Sequence, residues 1–343
     1  MDEKNKDISK DKIKYNTKTY LNNKIRYIPK ADIEMMREDN YEVSGIKTKK
    51  KYKYWYQVFD LVFIICDKIN MKVISLNNEL LSRLSKYLND NPNAITINQV
   101  NKVIKAGVDE KYALKVLLDE YLEYRYDYTS ILFKEDINKY LSNPYYKNIN
   151  FNNKREGNWQ LKISEYKPYE LFVSDNFFIK DEEVLPHIGY FNKPFKYQSV
   201  YQNNRLWMSI TPNEINTMEK DINDAKGNIL VVGLGLGYFQ YMTSLKSDVL
   251  SIDVVEVDKD IIKLFKNQIL PQFDNKYKVN IINDDVYNYF NNKDLSKYDY
   301  IYIDIWHDVS DGLTHYLKLK KFEEKYPNTI FRYWIYDSIK YYL

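Results

Sequence analysis

The last third of this 343-residue chain predicts an α/β fold built on a doubly wound parallel sheet. Three observations support this prediction. A short run of apolar, mostly β-branched residues ends in three glycines at alternate positions, and a largely apolar segment of helical length follows the glycines. Further apolar runs of strand length then recur, separated by segments long enough for a helix. The predicted strands are 228–232, 251–257, 278–282, 298–304 and 329–335.

The glycines Gly233, Gly235 and Gly237 form the predicted turn between the first strand and a helix at 238–245. A Cβ atom at these positions would obstruct a tight turn or a bound ligand. The arrangement also brings the backbone close to a ligand at the N-terminus of the helix. Strand, glycine turn and helix together therefore predict a nucleotide site.

Glu256 stands at the end of the second predicted strand, 23 residues after Gly233 (256 − 233). In a βαβ unit, an acid about 20 residues after the first glycine accepts hydrogen bonds from a ribose. The dinucleotide pattern would require glycine at 238, where this chain has Tyr238. The nucleotide is therefore not expected to be NAD or FAD. A helix is predicted to follow at 258–265.

Residues 228–308 resemble the class I S-adenosylmethionine-dependent methyltransferases, and within that superfamily the spermidine-synthase-like branch. The resemblance implies a Rossmann-like sheet that binds S-adenosylmethionine. It is carried by Val-Val-Gly-Leu-Gly-Leu-Gly (231–237), Val-Val-Glu-Val-Asp (254–258), Asn-Asp-Asp-Val (283–286) and Tyr-Asp-Tyr-Ile-Tyr-Ile-Asp (298–304).

The resemblance also implies roles for individual residues. The three glycines would form the cofactor loop, and Glu256 would bind the ribose. Asp285 would face the adenine amino group, and Asp304 would act at the reacting nucleophile. An ordinary helix N-cap is the alternative for each acid, and for Asp285 above all.

Two departures from the spermidine synthases bear on the reaction. Leu236 stands where those enzymes carry an aspartate that faces the ammonium of the aminopropyl group. That carboxylate would repel the carboxylate of S-adenosylmethionine, so Leu236 favours methyl transfer over aminopropyl transfer. In addition, residues 304–308 read Asp-Ile-Trp-His-Asp instead of the Asp-Ser-Ser-Asp type of loop. The acceptor of the methyl group therefore stays undetermined.

Asp304 and His307 are the predicted catalytic residues. Methyl transfer is an in-line displacement, which requires alignment of the nucleophile and, where it is protonated, removal of a proton. A histidine changes charge near neutral pH and can take that proton. Asp304 would orient an amine or hydroxyl, and Trp306 would stack on the acceptor. Equally open is the alternative that Trp306 is a core residue and His307 a solvated loop residue.

Composition and charge indicate a globular protein, with 44% hydrophobic and 29% charged residues and a net charge of +3. The single cysteine, Cys66, excludes an intrachain disulfide and a cysteine-based metal site. Asp308, Asp311 and His315 fit no strong ligand spacing, so no metal is predicted. The polar start lacks the features of a signal peptide, and the longest apolar run, 58–66, is too short to span a bilayer. We expect a cytoplasmic location.

Three parts are expected along the chain: a helical N-terminal accessory or dimerisation domain (1–150), a β-rich lead-in (151–225) and the S-adenosylmethionine-binding domain (226–343). Helices are predicted at 55–69, 76–88 and 108–124, with Thr96 as the N-cap of another and an Asn-rich linker at 143–158. The block 47–56 interleaves lysines and aromatics. It is interpreted either as a nucleic-acid contact or, preferably, as a solvated lead-in to a core element.

Two hairpins are predicted in the lead-in, at 159–179 and at 195–210, the second with its turn at 202–205. A helix then begins at Pro212, with Thr211 as its N-cap and Glu214 at the capping-box position. That structural role would explain Glu214 fully. A site role for Asn213 or Glu214 is the alternative, because both stand just before the predicted nucleotide core.

We therefore expect an S-adenosylmethionine-dependent methyltransferase that acts on a small molecule or a nucleic acid, with no membrane partner. A polyamine aminopropyltransferase and a non-catalytic nucleotide- or DNA-binding regulator are the alternatives. Five strands are visible where standard methyltransferases have seven. An uncovered sheet edge needs a partner, which predicts a homodimer.

Overall fold

The computed structural model describes residues 93–123, 125–150, 153–180, 183–307, 309–340 and 343, and before them Leu80, Arg83, Leu84, Lys86 and Tyr87. The predicted helix at 55–69, the basic block at 47–56, Cys66, Asp308 and most of the predicted helix at 76–88 lie outside these residues. Leu80 and Leu84, which share the helical spacing of 76–88, are helical and buried.

Two helices, α1 (Ile97–Ile104) and α2 (Glu110–Leu122), form the first continuous part of the fold. The prediction that Thr96 caps a helix is confirmed. Its hydroxyl accepts a hydrogen bond from the Gln99 N–H, and the Gln99 side chain accepts one from the Thr96 N–H at 2.8 Å. Asp109 caps α2 in the same way. Local sequence therefore determines where both helices begin.

Short strands form three small sheets ahead of the C-terminal sheet. These strands are β1 (Leu132–Lys134), β2 (Arg155–Glu156), β3 (Trp159–Tyr166), β4 (Phe172–Val173), β5 (Phe178–Lys180), β6 (Glu183–Leu185), β7 (Ile188–Tyr190), β8 (Phe195–Gln202) and β9 (Arg205–Ser209). Their orders are β1-β7-β4, β2-β3-β8-β9 and the hairpin β5-β6. β1 pairs parallel with β7, so residues on the two sides of position 150 share one sheet.

The hairpin predicted at 195–210 is confirmed, and the one predicted at 159–179 is wrong. β8 and β9 turn at Asn203 and Asn204, whose φ angles of 51° and 63° suit a two-residue hairpin. β3, by contrast, pairs along its whole length with β8, whereas β4 pairs with β7 in another sheet. The chain has left the β2-β3-β8-β9 sheet by Tyr169, whose N–H donates to the Phe191 carbonyl at 2.7 Å.

Part of the predicted linker at 143–158 is instead helical. After α3 (Ile137–Leu141), helix α4 (Pro144–Asn148) begins with Asn143 as its cap and proline at its first position. The Tyr145 hydroxyl donates to the Leu236 carbonyl at 2.6 Å. The asparagines here form caps and contacts rather than a flexible connection, so the linker prediction is wrong for 144–148.

The C-terminal sheet has five strands, all parallel, and their number and approximate positions are as predicted. The elements are α5 (Pro212–Asp224), β10 (Gly227–Val232), α6 (Tyr238–Ser244), β11 (Val249–Glu256), α7 (Lys259–Gln268), β12 (Val279–Asn283), α8 (Val286–Asn292), β13 (Tyr300–Ile303), α9 (Val309–Leu319), β14 (Ile330–Tyr333) and α10 (Tyr336–Ile339). The strand order is β12-β11-β10-β13-β14. None of the helices in the described ranges has the length and apolar composition needed to cross a bilayer.

The order of the strands creates a switch point between β10 and β13. From β10 the chain proceeds outward through β11 to β12, and it then returns to β13 on the opposite side of β10. Right-handed crossovers place α6 and α7 on one face of the sheet and α8 and α9 on the other, so a crevice is expected at the carboxyl ends of β10 and β13, where the direction reverses. Gly233 follows one of these strands and Asp304 follows the other.

Helix α5 begins where predicted, with Thr211 at the N-cap and Pro212 at the first helical position, but without the expected side-chain capping bond. Thr211 makes no capping hydrogen bond with its side chain, and Glu214 does not complete a capping box. Asn213 and Glu214 are instead buried. The first turn of α5 faces protein rather than solvent.

Candidate functional site

The glycine turn has a backbone shape that strongly favours glycine. Gly233, Gly235 and Gly237 have φ angles of 100°, 49° and 72°, all in the left-handed region. A Cβ on Gly233 would lie 1.9 Å from the carbonyl oxygen of Asp304, and one on Gly237 would lie 2.3 Å from the Phe265 ring. Contacts with the neighbouring strand and helix therefore require the glycines at 233 and 237, whatever binds to the turn.

Glu256 ends β11 with its carboxylate on the glycine turn. Its Oε2 accepts a hydrogen bond from the Leu234 N–H at 3.1 Å, and its Oε1 accepts one from the Asp258 N–H at 2.9 Å. Burial raises the pKa of Glu256, and these two hydrogen bonds offset part of that rise. Each carboxylate oxygen can accept a further hydrogen bond. The predicted ribose ligand and the predicted cofactor loop are thus adjacent.

Val257 follows Glu256 and has 65% of its surface exposed. A single exposed apolar side chain is ordinary in itself. This one, however, lies beside the Glu256 carboxylate at the carboxyl end of a parallel strand, where ligands of such sheets bind. It leaves an apolar surface exposed at this end of the sheet.

Asp285 is the N-cap of α8, as the alternative interpretation expected. Its Oδ1 accepts hydrogen bonds from the Tyr287 and Asn288 N–H groups at 2.9 and 3.1 Å. Both bonds use the same oxygen, so Oδ2 stays available for another donor. The cap explains the residue structurally, and its predicted contact with adenine stays a prediction.

Strand β9 covers the glycine turn, as the resemblance implied for the small β-elements that precede the sheet. The Met208 thioether accepts a hydrogen bond from the Leu236 N–H at 3.3 Å, and a Cβ on Gly235 would lie 2.4 Å from its sulfur. The neighbouring Trp207 packs its ring edge-on against His307, with ring centroids 4.1 Å apart. Two consecutive residues of β9 thus contact the glycine turn and the predicted catalytic loop.

The carboxyl groups of Asp304 and Glu214 interact electrostatically. Burial raises the pKa of Asp304 to about 7, and the charge of Asp311 adds to the rise. Burial also raises the pKa of Glu214 well above its usual range, and the charge of Asp304 raises it further. Perturbed carboxyl groups in a crevice are typical of functional sites, although structural networks also produce them. The site role that was the alternative for Glu214 gains support.

His307 and Trp306 each bury a polar atom without a partner. Within the described residues, no hydrogen bond satisfies His307 Nε2, Trp306 Nε1 or Asn213 Oδ1. On its other side, His307 Nδ1 lies 3.5 Å from Asp311 Oδ2. Trp306 is buried, so it belongs to the core as one alternative proposed, and His307 is partly buried rather than solvated. Buried polar groups normally have partners, and within the described residues these atoms share their state with others outside the site, such as Trp159 Nε1, so a ligand is one explanation and not one that this state alone requires.

The structure places Gly233, Glu256, Asp304 and His307 at one end of the sheet, with Asp285 at the start of a neighbouring helix. Sequence reasoning missed Trp207, Met208 and the contact of Asp311 with His307. No local signal marks the first two, because a hairpin strand with alternating apolar residues has the same pattern wherever it packs. Across the described residues, no three His, Cys, Asp or Glu side chains gather closely enough to hold a metal ion.

Comparisons with known proteins add little to this geometry. No protein-family model and no curated protein matches the chain. Among solved structures, the chain shows a slight similarity to the crystal structure of a "putative O-methyltransferase" from Klebsiella pneumoniae, with 18% sequence identity and a TM-score of 0.24. The match covers 30% of this chain and 45% of that one, so this chain matches less than half of its neighbour's length. At that level the similarity carries no argument, and function has to be argued from the site.

Proposed function

We propose that this protein is an S-adenosylmethionine-dependent methyltransferase of the class I type. The observation that carries the proposal is the position of Glu256, whose carboxylate lies against the glycine turn at the switch point of a parallel sheet. A ligand with a ribose at this place would meet a carboxylate with free lone pairs. The turn beside it lacks Cβ atoms that would keep the ligand away.

The residues at the turn fit this cofactor on one condition. The space above Gly235 contains the Met208 thioether, which also takes the hydrogen bond of the Leu236 N–H. A methionine side chain has three rotatable bonds and is readily moved. The contact is also a weak one, because a thioether is a poor acceptor. Binding of the cofactor would therefore displace Met208 and give the Leu236 N–H a better partner.

Each residue then has a defined task. Glu256 holds the ribose, Val257 packs against the base, and the glycine turn accommodates the remainder of the cofactor. Asp285 Oδ2, which the cap leaves free, would accept a hydrogen bond from the amino group of the base. The bound cofactor supplies a methyl group on a positively charged sulfur, which is activated toward a nucleophile without help from a metal.

The acceptor side of the site is rich in hydrogen-bond acceptors. The carboxyl groups of Asp304 and Glu214, Asn213 Oδ1 and one ring nitrogen of His307 lie in this part of the molecule, and no lysine or arginine pairs with the Glu214 carboxyl within the described chain. An acceptor that carries N–H or O–H groups would satisfy them. Both a small molecule and an exposed base of a nucleic acid meet this requirement.

Isothermal titration calorimetry with S-adenosylmethionine tests the proposal. We expect the wild-type protein to bind and Glu256→Ala to bind about 10- to 100-fold more weakly, because hydrogen bonds to a charged group contribute about 1.5–3 kcal/mol. Asp274→Ala removes an exposed acid elsewhere in the same domain and serves as the matched control. The proposal fails if the wild type shows no binding, or if Glu256→Ala binds as tightly as Asp274→Ala.

Aminopropyl transfer of the spermidine-synthase-like branch is the second candidate, because the two acids Glu214 and Asp304 would suit an amine acceptor. Position 236 argues against it. Leu236 is fully buried and offers no carboxylate to the ammonium of a decarboxylated cofactor. The same calorimeter decides between the two, since an aminopropyltransferase would bind decarboxylated S-adenosylmethionine more tightly than S-adenosylmethionine itself.

A further inference from the structure

We propose that Asp311 is a positioning residue that holds His307 in the tautomer with a proton on Nδ1, so that Nε2 accepts a proton from the acceptor substrate. The inference rests on the proposed function for the identity of the reaction. The arrangement of the two side chains does not depend on it and is tested separately.

Asp311 contacts His307 at two places. In the first turn of α9, its Oδ1 and Oδ2 both accept a hydrogen bond from the backbone N–H of His307, each at 3.2 Å. Oδ2 also lies 3.5 Å from Nδ1 of the imidazole ring. One carboxylate therefore fixes the backbone of the loop and faces one edge of the ring.

This contact favours a proton on the ring nitrogen that faces the carboxylate. A carboxylate is only an acceptor, so the nitrogen that faces it is the protonated one. In neutral histidine the other nitrogen then keeps its lone pair. Nε2 of His307 is buried and has no hydrogen-bond partner within the described part of the chain, so the lone pair is not used by another side chain there.

His307 lies close to the proposed cofactor site. Its ring packs against Trp207, and the next residue of the same strand, Met208, contacts Gly235 and Leu236 in the glycine turn. Consecutive Cα atoms are only about 3.8 Å apart. The two side chains, however, point to opposite faces of the strand, so the closer link is the loop itself. A Cβ on Gly233 of the turn would lie 1.9 Å from the carbonyl oxygen of Asp304, three residues before His307.

The chemistry that this arrangement supports is the removal of one proton. When an O–H or N–H acceptor is methylated, a lone pair of its oxygen or nitrogen would form the bond to the methyl carbon, and the carbon–sulfur bond would break with its electron pair left on sulfur. The bond to hydrogen would break as well, and its electron pair would stay on the oxygen or nitrogen. The proton passes to Nε2, and the imidazolium that results lies beside the Asp311 carboxylate. The substrate class is thus a nucleophile with a removable proton, such as a hydroxyl compound or a primary or secondary amine.

Two other acids lie near this pair and compete for the same role. Burial raises the pKa of Asp304 to about 7, and burial together with the charge of Asp304 raises the pKa of Glu214 further. At neutral pH Asp304 is only partly ionised and is coupled to Glu214, so the two acids together offer at most one carboxylate as a proton acceptor. Among the described residues, His307 combines a ring nitrogen without a hydrogen-bond partner with a neighbouring carboxylate, and the two acids can hydrogen-bond the acceptor.

Long-range ¹H–¹⁵N NMR of the histidine rings tests the tautomer without substrate or cofactor. The chain has three histidines, so His307→Asn identifies the signals of position 307. We expect His307 to carry its proton on Nδ1 in the wild type and in Asp311→Glu. In Asp311→Ala we expect mostly the Nε2–H form, because no carboxylate then faces Nδ1.

Tyr287→Phe is the matched control. Its hydroxyl lies 2.7 Å from Nδ1 of His315, so the substitution is expected to change the signals of His315 and to leave those of His307 as they are. Asp311→Asn keeps an oxygen for the His307 N–H and shows whether loss of the charge alone, without loss of the backbone contact, weakens the tautomer preference.

Activity supplies the second measurement once an acceptor is known. We expect His307→Asn to lower kcat by about 100-fold or more, with unchanged affinity for S-adenosylmethionine. We expect Asp311→Ala to lower kcat by about 10- to 100-fold, with recovery in Asp311→Glu. An Nε2–H tautomer in the wild type, or an unchanged tautomer in Asp311→Ala, overturns the inference even if the cofactor binds. Absence of cofactor binding overturns the proposed function and leaves the tautomer result standing.

Discussion

Glu214 and Asp304 approach one another from two different elements, and the charge of Asp304 opposes ionisation of Glu214. Glu214 is in the first turn of α5 and has 7% of its surface exposed, whereas Asp304 follows β13. Two carboxyl groups that interact in this way titrate as a pair, so the retained proton belongs to both. At neutral pH the pair therefore holds at least one proton and has at most one negative charge.

The pair makes the free energy of unfolding depend on pH. The pKa of Asp304 is about 7 in the folded chain and 3.8 as its ordinary value, so between about pH 4 and pH 7 the folded chain binds more protons than the unfolded chain. Stability from this group is fully present below about pH 4 and is lost as the pH rises through 7. The raised pKa of Glu214 acts in the same direction.

Replacing Glu214 by glutamine is expected to remove part of this loss. Urea unfolding should show Glu214→Gln to be more stable than the wild type by about 1–2 kcal/mol at pH 8, with a smaller difference at pH 5. Glu219→Gln changes an exposed acid on the same helix and should show no such pH dependence. If the curves of Glu214→Gln and the wild type stay parallel from pH 5 to pH 8, the two acids do not interact as described.

Val257 offers a test of the apolar side of the cofactor site. Val257 and Leu250 have 65% and 66% of their surface exposed, and they stand at the carboxyl end and near the amino end of β11. We expect Val257→Asp to weaken S-adenosylmethionine binding by about 10-fold or more. A bound base would cover the new carboxylate and remove it from water, which costs free energy. Leu250→Asp should bind like the wild type. Equal affinities of the two variants in calorimetry would exclude a base at Val257.

Met208 is expected to compete with the cofactor for the glycine turn. Its sulfur lies where a Cβ of Gly235 would be, so binding has to displace it. Met208→Ala removes the competitor and should tighten S-adenosylmethionine binding several-fold, whereas Met208→Leu keeps the bulk and should stay nearer the wild type. Weaker binding by Met208→Ala would instead show that the thioether is part of the cofactor site.

Gly233 and Gly235 are expected to respond differently to the same substitution. A Cβ at Gly233 meets the backbone oxygen of Asp304, which cannot move without distorting β13, whereas a Cβ at Gly235 meets the flexible end of Met208. We expect Gly233→Ala to lower the free energy of unfolding by about 2 kcal/mol more than Gly235→Ala does. Chemical denaturation measures the difference, and equal losses would contradict the close approach of the glycine turn to β13.

Much of the C-terminal sheet could be predicted from the sequence, because its signals are local. Buried parallel strands appear as continuous apolar runs, glycines at alternate positions mark the turn, and Thr96 and Asp109 cap helices through neighbours three residues away. The position of Glu256 beside the turn also follows, since the spacing within one βαβ unit leaves little freedom.

The contacts that complete the site come from segments distant in sequence, and no local pattern contains them. The pairing of β3 with β8 overrode the hairpin expected at 159–179, because side chains of both strands bury against the same core. The first turn of α5 is buried, so Glu214 interacts with Asp304 and does not form the capping box expected from the sequence. The covering of the turn by Met208 likewise arises only from the packing of β9 over the sheet.

By itself the sequence determined the five parallel strands, the glycine turn and the acid beside it, because strand periodicity, backbone freedom at glycine and βαβ spacing act over short stretches of chain. Only the tertiary structure decided which polar groups near the turn are buried from solvent. Desolvation and charge interaction depend on what packs against a residue. The neighbours of Glu214, Asp304 and His307 belong to elements that are distant from them in the sequence.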